Sequence, residues 1–172
     1  MLSQLIIRTT EKETGASAAY LGLLRRLSGG LFWRLVLALG SLRTRAPHPQ
    51  ARAVASLVAI QSQDCGPCLE ISVRFALRDG CSKELVGAVL HGNMEPLPPE
   101  LQTVYRLAQA VYRHEPEVTE LSELLEKQLG PKVRADVALT LAFTPIYPFL
   151  KRALGVATDR CLRPEALLEA VS

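Results

Sequence analysis

Two cysteines, Cys65 and Cys68, stand two residues apart where one apolar helical pattern gives way to another. The first pattern covers residues 50–61 and the second covers residues 64–78, with a short polar break between them. The first is almost wholly apolar, which predicts a buried helix, and the second has the apolar spacing of an amphipathic helix. A chain with this pattern must place its dithiol between two packed helices, in the first turn of the second one.

Three features of this segment favour a reactive thiol. Asp64 is predicted to cap the second helix, because Asp side chains accept hydrogen bonds from the first free N–H groups of a helix. Pro67 fits the first turn, where its missing N–H costs no helical hydrogen bond. The remaining N–H groups and the positive end of the helix dipole favour a thiolate over a thiol. The sequence therefore indicates a redox dithiol.

The composition predicts an all-α fold. Aromatic residues make up only 5% of the chain, alternating β-branched stretches are few, and a hydrophobic content of 48% is typical of a globular protein. A length of 172 residues fits one domain. Helical patterns cover residues 16–27, 31–42, 50–61, 64–78, 82–90, 101–114, 117–129, 133–154 and 164–171.

The ends of the chain differ from this regular pattern. Residues 1–14 are predicted to be an irregular lead-in, which leaves residues 15–172 as the helical domain. Pro145 and Pro148 interrupt the last long pattern and should kink it. Ser82 is a predicted N-cap for the helix that follows the cysteine helix.

The four cysteines predict a reducing compartment. They are too few, in too long a chain, for the disulfide framework of a secreted protein. A secretory signal pattern is not visible, and the most apolar stretches, residues 31–42 and 137–150, are shorter than the about 20 residues that span a bilayer. We therefore predict a cytoplasmic protein without an integral membrane segment.

Basic residues concentrate in the first third of the chain. Residues 1–63 carry eight Lys and Arg against two acidic residues, whereas residues 64–172 carry twelve against fifteen. This asymmetry is consistent with an anionic partner, either nucleic acid or a lipid surface. A solvated helix face is the preferred interpretation, and no nucleic-acid partner is predicted. The arginines in question are Arg25, Arg26, Arg34, Arg43 and Arg45.

Three chemistries fit a C-x-x-C pair. Cys-Gly-Pro-Cys is the active-site tetrapeptide of thioredoxins, but those proteins place it after a β-strand, and the segment before Cys65 is helical. A zinc site would need further ligands such as Cys81 and His91, and Cys81 lies a full helix beyond the pair, about 20 Å along its axis. The third chemistry is that of a redox dithiol on an all-helical scaffold.

The other cysteines and the histidines have simpler interpretations. Cys81 and Cys161 are predicted to be small buried residues rather than further redox partners. His48, His91 and His114 fall at helix ends and loops, where they are predicted to be surface or capping residues. No metal and no other cofactor is predicted.

Residues 54–90 resemble the core of the alkylhydroperoxidase AhpD / carboxymuconolactone decarboxylase family, in the run VASLVAIQSQDCGPCLEISVRFALRDGCSKELVGAVL. In that pattern a helix precedes C-x-x-C, a Gly ends the cysteine helix, and a Ser or Thr followed by Glu opens the next. Gly80, Ser82 and Glu84 match. The cysteine-containing core spans about residues 50–91, and a weaker likeness, including LPPELQTVYRLAQAVYR and FLKRALG, covers most of the chain.

The resemblance implies an AhpD-like helical bundle that assembles into homo-oligomers, and it implies peroxidase chemistry. In redox-active members the second cysteine attacks a hydroperoxide and the first resolves the sulfenate, which makes Cys68 peroxidatic and Cys65 resolving. The partners would be a small-molecule hydroperoxide and a thiol or dithiol electron donor. The residues alone leave open which sulfur attacks, and the thioredoxin analogy would select Cys65.

The sequence departs from the family at both proton-relay positions. The family has a Glu twelve residues before the first cysteine and a His four after the second, and these positions are Ala53 and Ser72 here. Ser72 lies one helical turn beyond Cys68, within reach of its sulfur. The other candidate accessory residues, near the pair in sequence, are Asp64, Glu70 and Gln61.

These observations predict a thiol-dependent antioxidant protein, either a C-x-x-C peroxidase or a dithiol oxidoreductase that reduces organic hydroperoxides. The alternative is a non-catalytic AhpD-like oligomer with a binding or redox-sensing role, which the missing Glu and His favour. Tyr147, which follows Pro145 and precedes Pro148, is predicted to mark a kink that opens a pocket beside the thiols.

Overall fold

The computed structural model describes residues 2–41, 45–156 and 169. Within these residues the regular elements are all α-helices, packed into one compact domain, which confirms the predicted fold class. The helices are α1 (Leu2–Thr14), α2 (Ala19–Leu27), α3 (Gly29–Ser41), α4 (Pro49–Gln61), α5 (Gly66–Arg78), α6 (Lys83–His91), α7 (Pro99–Arg113), α8 (Val118–Leu129), α9 (Pro131–Phe143) and α10 (Ile146–Ala153).

The predicted irregular lead-in is a helix, α1, so that prediction was wrong. The helix has no buried residue. Its apolar residues Leu2, Leu5 and Ile6 nevertheless have helical spacing, a signal that the prediction overlooked. Tertiary contacts stabilise it: Ile6 and Ile7 pack against a small buried cluster, and the Glu11 carboxylate accepts a hydrogen bond from the Ala18 N–H at 3.0 Å. Packing of one face can stabilise a helix that its own sequence would leave marginal.

Helices α4 to α9 form the larger of two hydrophobic cores. Helix α4 lies at its centre, against α5, α6, α7 and α9, and eight of its thirteen residues are buried. This confirms the predicted buried helix before the dithiol. Leu57 of α4, Leu101 of α7 and Leu125 of α8 are fully buried there.

A smaller core joins the N-terminal helices to α10. Its buried residues are Ala18, Tyr20, Leu21 and Phe32. Leu150 and Leu154, at the C-terminal end of the described chain, pack against this cluster. Helix α10 therefore contributes to the smaller core, while the cysteine helix α5 belongs to the larger one.

The last long helical pattern is two helices rather than one kinked helix. Thr144 and Pro145 form a turn between α9 and α10, because a proline has no N–H to continue the helical ladder. The helix resumes when the Phe149 N–H donates to the Pro145 carbonyl at 3.0 Å. Beyond the break, Lys151 of α10 contacts Cys68 of α5. Except for residue 169, the helix predicted over residues 164–171 lies outside the described residues.

The most apolar stretches of the sequence are divided among short helices. Residues 31–41 belong to α3, and residues 137–150 are split between α9 and α10. None of the helices in the described ranges is long and apolar enough to cross a membrane.

Truncation of Leu57 should destabilise the protein strongly. Leu57→Ala would remove a fully buried side chain from α4, and we expect the free energy of unfolding to fall by about 2–5 kcal/mol. Leu139→Ala on α9, where the side chain is 50% exposed, is the control and should change it little. Chemical denaturation measures both, and equal effects would contradict the central position of α4.

Candidate active site

Cys65 and Cys68 lie at the N-terminus of α5, as predicted. Cys65 is the N-cap residue and Cys68 is in the first turn, with the Leu69 N–H donating to the Cys65 carbonyl at 2.9 Å. The two sulfurs are at disulfide distance, and the two Cα atoms are 5.3 Å apart. The local backbone therefore accommodates the oxidised dithiol.

Asp64 does not cap α5, and the prediction that it would was wrong. The N–H of Asp64 donates to the Gln61 carbonyl at 3.2 Å, so Asp64 completes the turn that follows α4. Its backbone is left-handed, with φ of 45°, and its side chain is exposed. Cys65, with an extended backbone, takes the capping position instead. The turn between α4 and α5 therefore extends one residue further than the sequence pattern suggests, because it includes Asp64.

Cys68 lines an interior cavity of about 160 Å³. Its walls come from α1, α2, α4, α5 and α10, so it lies between the larger and the smaller core. Aliphatic and aromatic surface, eight hydroxyl groups and one amine surround the sulfur. The lining residues are Thr10, Thr14, Ser17, Ala18, Tyr20, Ser56, Ile60, Cys68, Ile71, Ser72, Phe75, Thr144, Tyr147 and Lys151.

A buried lysine, Lys151 of α10, contacts Cys68 inside this cavity. Its Nζ lies 3.5 Å from the Cys68 Sγ, and the residue is only 7% exposed. The ammonium also lies 5.3 Å from the centre of the Tyr20 ring, a cation–π contact. Burial lowers the pKa of Lys151. A cation at this distance stabilises the thiolate of Cys68 over its thiol.

Two phenols face the same cavity. Burial, with a smaller contribution from nearby Tyr147, raises the pKa of Tyr20 well above its ordinary value, so its hydroxyl keeps its proton at neutral pH. Tyr147, the second residue of α10, lines the same cavity as Cys68, so a pocket does lie between the predicted kink and the dithiol. The cavity thus holds neutral hydroxyl donors as well as the ammonium.

Ser72 is the predicted accessory residue that the structure brings to the cavity. It lies one helical turn beyond Cys68 on α5, on the same wall. Ser56 of α4, three residues after Ala53, contributes a second hydroxyl to that wall. The helices that would carry the family's Glu and His therefore present hydroxyl groups here.

The other predicted accessory residues do not line the cavity. The Glu70 carboxylate pairs with the Arg74 guanidinium at 2.6 Å, one turn along α5. The Gln61 Nε2 donates to the Leu90 carbonyl at 3.0 Å, which ties α4 to α6. Asp64 is exposed in the turn between α4 and α5. Their observed contacts stabilise the helices around the site.

Sequence reasoning missed Lys151 as a site residue. It stands three residues after the buried Pro148 and three before Leu154, on the apolar face of a short helix. A lysine at helical spacing among apolar residues is the signal that was available. The sequence did not indicate which residue this lysine contacts, because Cys68 is 83 residues away along the chain.

Cys81 is a buried free thiol at the end of the cysteine helix, as predicted. Burial, with a smaller contribution from Asp79, raises its pKa to about 11, which makes it a weak nucleophile at neutral pH. Cys161 lies outside the described residues. Within the ranges that the structure describes, His, Cys, Asp and Glu side chains form no group of three or more suited to a metal ion.

The histidines lie at helix ends, as predicted. The Nδ1 of His48 accepts a hydrogen bond from the Ala51 N–H at 3.1 Å and caps α4. His91 is the last residue of α6, and His114 follows α7 in a left-handed conformation. None of the three lines the dithiol cavity.

No family model, curated protein or solved structure matches the chain. The resemblance of residues 54–90 to the AhpD family stays a prediction. The chemistry of the site follows from its own residues: a dithiol, a buried ammonium, phenol hydroxyls and a small enclosed space.

Proposed function

We propose that this protein is a thiol-dependent peroxidase with AhpD-like architecture, in which Cys68 and Cys65 reduce an organic hydroperoxide. The observation that carries the proposal is the 3.5 Å contact between the Lys151 Nζ and the Cys68 Sγ at the wall of the dithiol cavity. A thiolate needs a nearby cation to persist at neutral pH, and a peroxidase needs a proton donor for the leaving oxygen. Lys151 is placed to supply both.

The geometry supports Cys68 as the attacking sulfur. Cys68 lines the cavity, whereas Cys65 has no exposed surface and is not part of the cavity wall. The thioredoxin analogy selects the first cysteine because that cysteine is the more accessible one, and this reason does not hold here. Cys65 is placed to react with Cys68 but not with a substrate in the cavity.

In the first step the Cys68 thiolate attacks the terminal oxygen of the hydroperoxide. An S–O bond forms, the O–O bond breaks, and two electrons pass from sulfur to the leaving oxygen. The alkoxide takes a proton from the Lys151 ammonium and leaves as an alcohol, so that Lys151 becomes a neutral amine. The pKa of Lys151, lowered by burial, makes this proton transfer easier than it would be from an exposed lysine.

In the second step Cys65 attacks the sulfenic sulfur of Cys68. The S–S bond forms, the S–O bond breaks, and the hydroxyl leaves with the Cys65 proton as water. A dithiol electron donor then reduces the disulfide by thiol–disulfide exchange, and the proton of the released Cys68 thiol returns to the Lys151 amine. One turnover converts one hydroperoxide and one dithiol into an alcohol, water and a disulfide.

The proposed setting is a reducing compartment such as the cytoplasm, where a dithiol donor keeps the pair reduced between turnovers. The proposed assembly is a homo-oligomer, as the resemblance implies. Neither is needed for the chemistry of a single chain, because every group named in the two steps comes from the same domain.

The direct test is the rate at which cumene hydroperoxide oxidises the reduced protein at pH 7. We expect a second-order rate constant about 100-fold above that of N-acetylcysteine, because the ammonium maintains the thiolate and the cavity orients the peroxide. Two thiols should be lost per hydroperoxide, and peptide mapping should locate the new disulfide between Cys65 and Cys68.

A rate no greater than that of N-acetylcysteine would overturn the peroxidase proposal for organic hydroperoxides. The protein would then be better described by the alternative, a binding or redox-sensing member of the same architecture. Oxidation that maps to Cys81 instead would contradict the assignment of the site itself.

A further inference from the structure

We infer that the dithiol cavity is the inner end of a longer binding site for a carboxylic acid with an apolar chain, which makes long-chain hydroperoxy acids the substrate class. The inference rests on the proposed function for its chemistry. The binding site itself rests on a row of cavities along α1, between that helix and α2, α3 and α10. Three observations define it: a second cavity, a cationic groove and the order in which these spaces follow one another along α1.

The second cavity has a volume of about 340 Å³ and lies between α1, α2 and α3. It shares three wall residues with the dithiol cavity, namely Thr10, Tyr20 and Tyr147, so the two spaces adjoin at these side chains. Its walls are largely aliphatic, and Leu21 and Val36 are among them. Taken together, the two cavities reach the size range of known small-molecule sites.

The outer end of this row is cationic. Leu5 lines both the second cavity and a groove whose other walls include Arg8 and Arg25. The Nη1 of Arg25 donates to the Ser3 hydroxyl at 3.4 Å, while its Nε is buried without a hydrogen-bond partner in the described part of the chain. A buried guanidinium N–H costs free energy until an acceptor reaches it, and a carboxylate is the acceptor whose geometry suits arginine best.

The order of residues along α1 gives the site a direction. Thr10 and Thr14 contact the dithiol cavity, whereas Leu5 and Arg8 line the outer groove. At about 1.5 Å per residue, the two ends are roughly 10–15 Å apart, a distance that an alkyl chain covers. The ammonium of Lys151 at the inner end already contacts Cys68 and Tyr20, whereas the Nε of Arg25 at the outer end has no hydrogen-bond partner among the described residues. An acid therefore binds with its carboxylate toward Arg25 and its chain toward Cys68.

The outer groove is also open to an apolar ligand. Leu2 and Leu5 are 61% and 60% exposed on α1 beside the groove, so a hydrocarbon chain meets apolar surface before it enters. Exposed apolar residues at the rim of a cavity are typical of sites for apolar ligands. The hydroperoxide group, carried along the chain, then reaches the sulfur of Cys68.

The binding test uses oleate and the disulfide form of the protein, in which the thiols cannot react. Isothermal titration should detect one oleate per chain. We expect Arg25→Gln to weaken oleate binding about tenfold, the usual effect of losing one charge-assisted hydrogen bond, and to leave the binding of 1-hexadecanol unchanged. Arg26→Gln, one residue along α2 and outside the cavity walls, is the matched control and should bind oleate normally.

A second pair of variants tests the cavity instead of the charge. Gly40 of α3 lines the second cavity, and Gly30 of the same helix does not; a Cβ at either position would meet no atom within 4 Å. Gly40→Leu should fill part of the cavity and weaken oleate binding at least about tenfold, because the leucine side chain would occupy space that the alkyl chain of oleate needs. Gly30→Leu should leave it unchanged, and both variants should keep the stability of the wild type or exceed it.

Turnover separates this inference from the proposed function. The reduced protein should react at least about tenfold faster with a long-chain hydroperoxy acid than with its methyl ester or with cumene hydroperoxide, and Arg25→Gln should remove that preference alone. Turnover of cumene hydroperoxide without oleate binding would overturn the inference and leave the peroxidase intact. Oleate binding without any turnover would overturn the peroxidase and its substrate class, and would leave a carboxylate-binding site. Oleate binding that Gly40→Leu and Arg25→Gln do not change would place the ligand elsewhere and overturn the inference.

Discussion

Replacing Cys68 with serine is expected to abolish the reduction of organic hydroperoxides, since the variant has no sulfur at the cavity wall. Replacing Cys65 with serine should stop the cycle one step later, after the first turnover. The Cys65→Ser protein should then consume one hydroperoxide per chain and hold Cys68 as a sulfenic acid. Stopped-flow peroxide consumption, followed by trapping with dimedone and peptide mass spectrometry, measures both variants.

The pattern between the two variants decides which sulfur attacks. A sulfenic acid that forms at Cys65 in Cys68→Ser, with none at Cys68 in Cys65→Ser, would reverse the proposed roles. Cys81→Ser is the matched control: its thiol is buried, with a pKa of about 11, and its loss should leave both steps unchanged. Loss of folded structure in Cys65→Ser and Cys68→Ser, but not in Cys81→Ser, would instead point to a structural thiol pair.

Replacing Lys151 with methionine is expected to slow the oxidation of Cys68 by about 10- to 100-fold at pH 7. A unit charge about 4 Å away is worth roughly 1 to 4 kcal/mol between the limits of water and a protein surface, and the thiolate of Cys68 loses that stabilisation. The rate should become strongly pH-dependent and recover toward alkaline pH, because the pKa of Cys68 rises in the variant. Lys132→Met, at an exposed position of α9, is the control.

Although Lys151→Met is expected to slow the oxidation of Cys68, it should make the folded protein more stable at pH 7. Burial lowers the pKa of Lys151 in the folded protein below its ordinary value of 10.5, so the folded state holds the ammonium less well than the unfolded chain. In the disulfide form, stability should therefore rise as the pH increases through the folded pKa toward 10.5, where the penalty disappears. Lys151→Met should be more stable than the wild type at pH 7, and the two should converge near pH 10.5.

This combination of slower chemistry and higher stability separates a functional lysine from a structural one. Thermal unfolding of the oxidised proteins at several pH values measures the stability, and stopped-flow oxidation of the reduced proteins measures the rate. A Lys151→Met protein that oxidises at the wild-type rate would remove the observation on which the proposed function depends. Lys151→Arg, which keeps the charge, should retain part of the activity.

Much of this protein is encoded locally. Helices such as α5, α7 and α8 follow apolar spacing that the sequence displays directly, because each must bury one face against its neighbours. Helices α4 and α9 have little such spacing, and their apolar content predicted them instead. Ser82 caps α6 as predicted, accepting a hydrogen bond from the Leu85 N–H at 3.1 Å, since a cap depends only on residues within one turn. The dithiol at the start of α5 is local in the same sense: two cysteines in the first turn of a helix are neighbours in any fold.

The sequence was a poorer guide where a contact joins distant segments or a turn takes one more residue than the pattern suggests. Asp64 is of a residue type that commonly caps helices, but it completes the turn after α4. That error arose because local preference is weaker than the turn geometry that competes with it. Helix α1 packs onto α2 and α3, and the helical spacing of Leu2, Leu5 and Ile6 was a local signal of it that the prediction overlooked.

What the sequence determined by itself is therefore the all-α class, the order of the helices from α2 to α8 and the position of the Cys65–Cys68 pair. What only the tertiary structure decided is the environment of that pair. Helix α10, which follows the break at Pro145, places the ammonium of Lys151 against the sulfur of Cys68, across 83 positions of sequence. Periodicity determines which residues share a face of one helix, but two helices distant in sequence meet only because both bury that face in the same core.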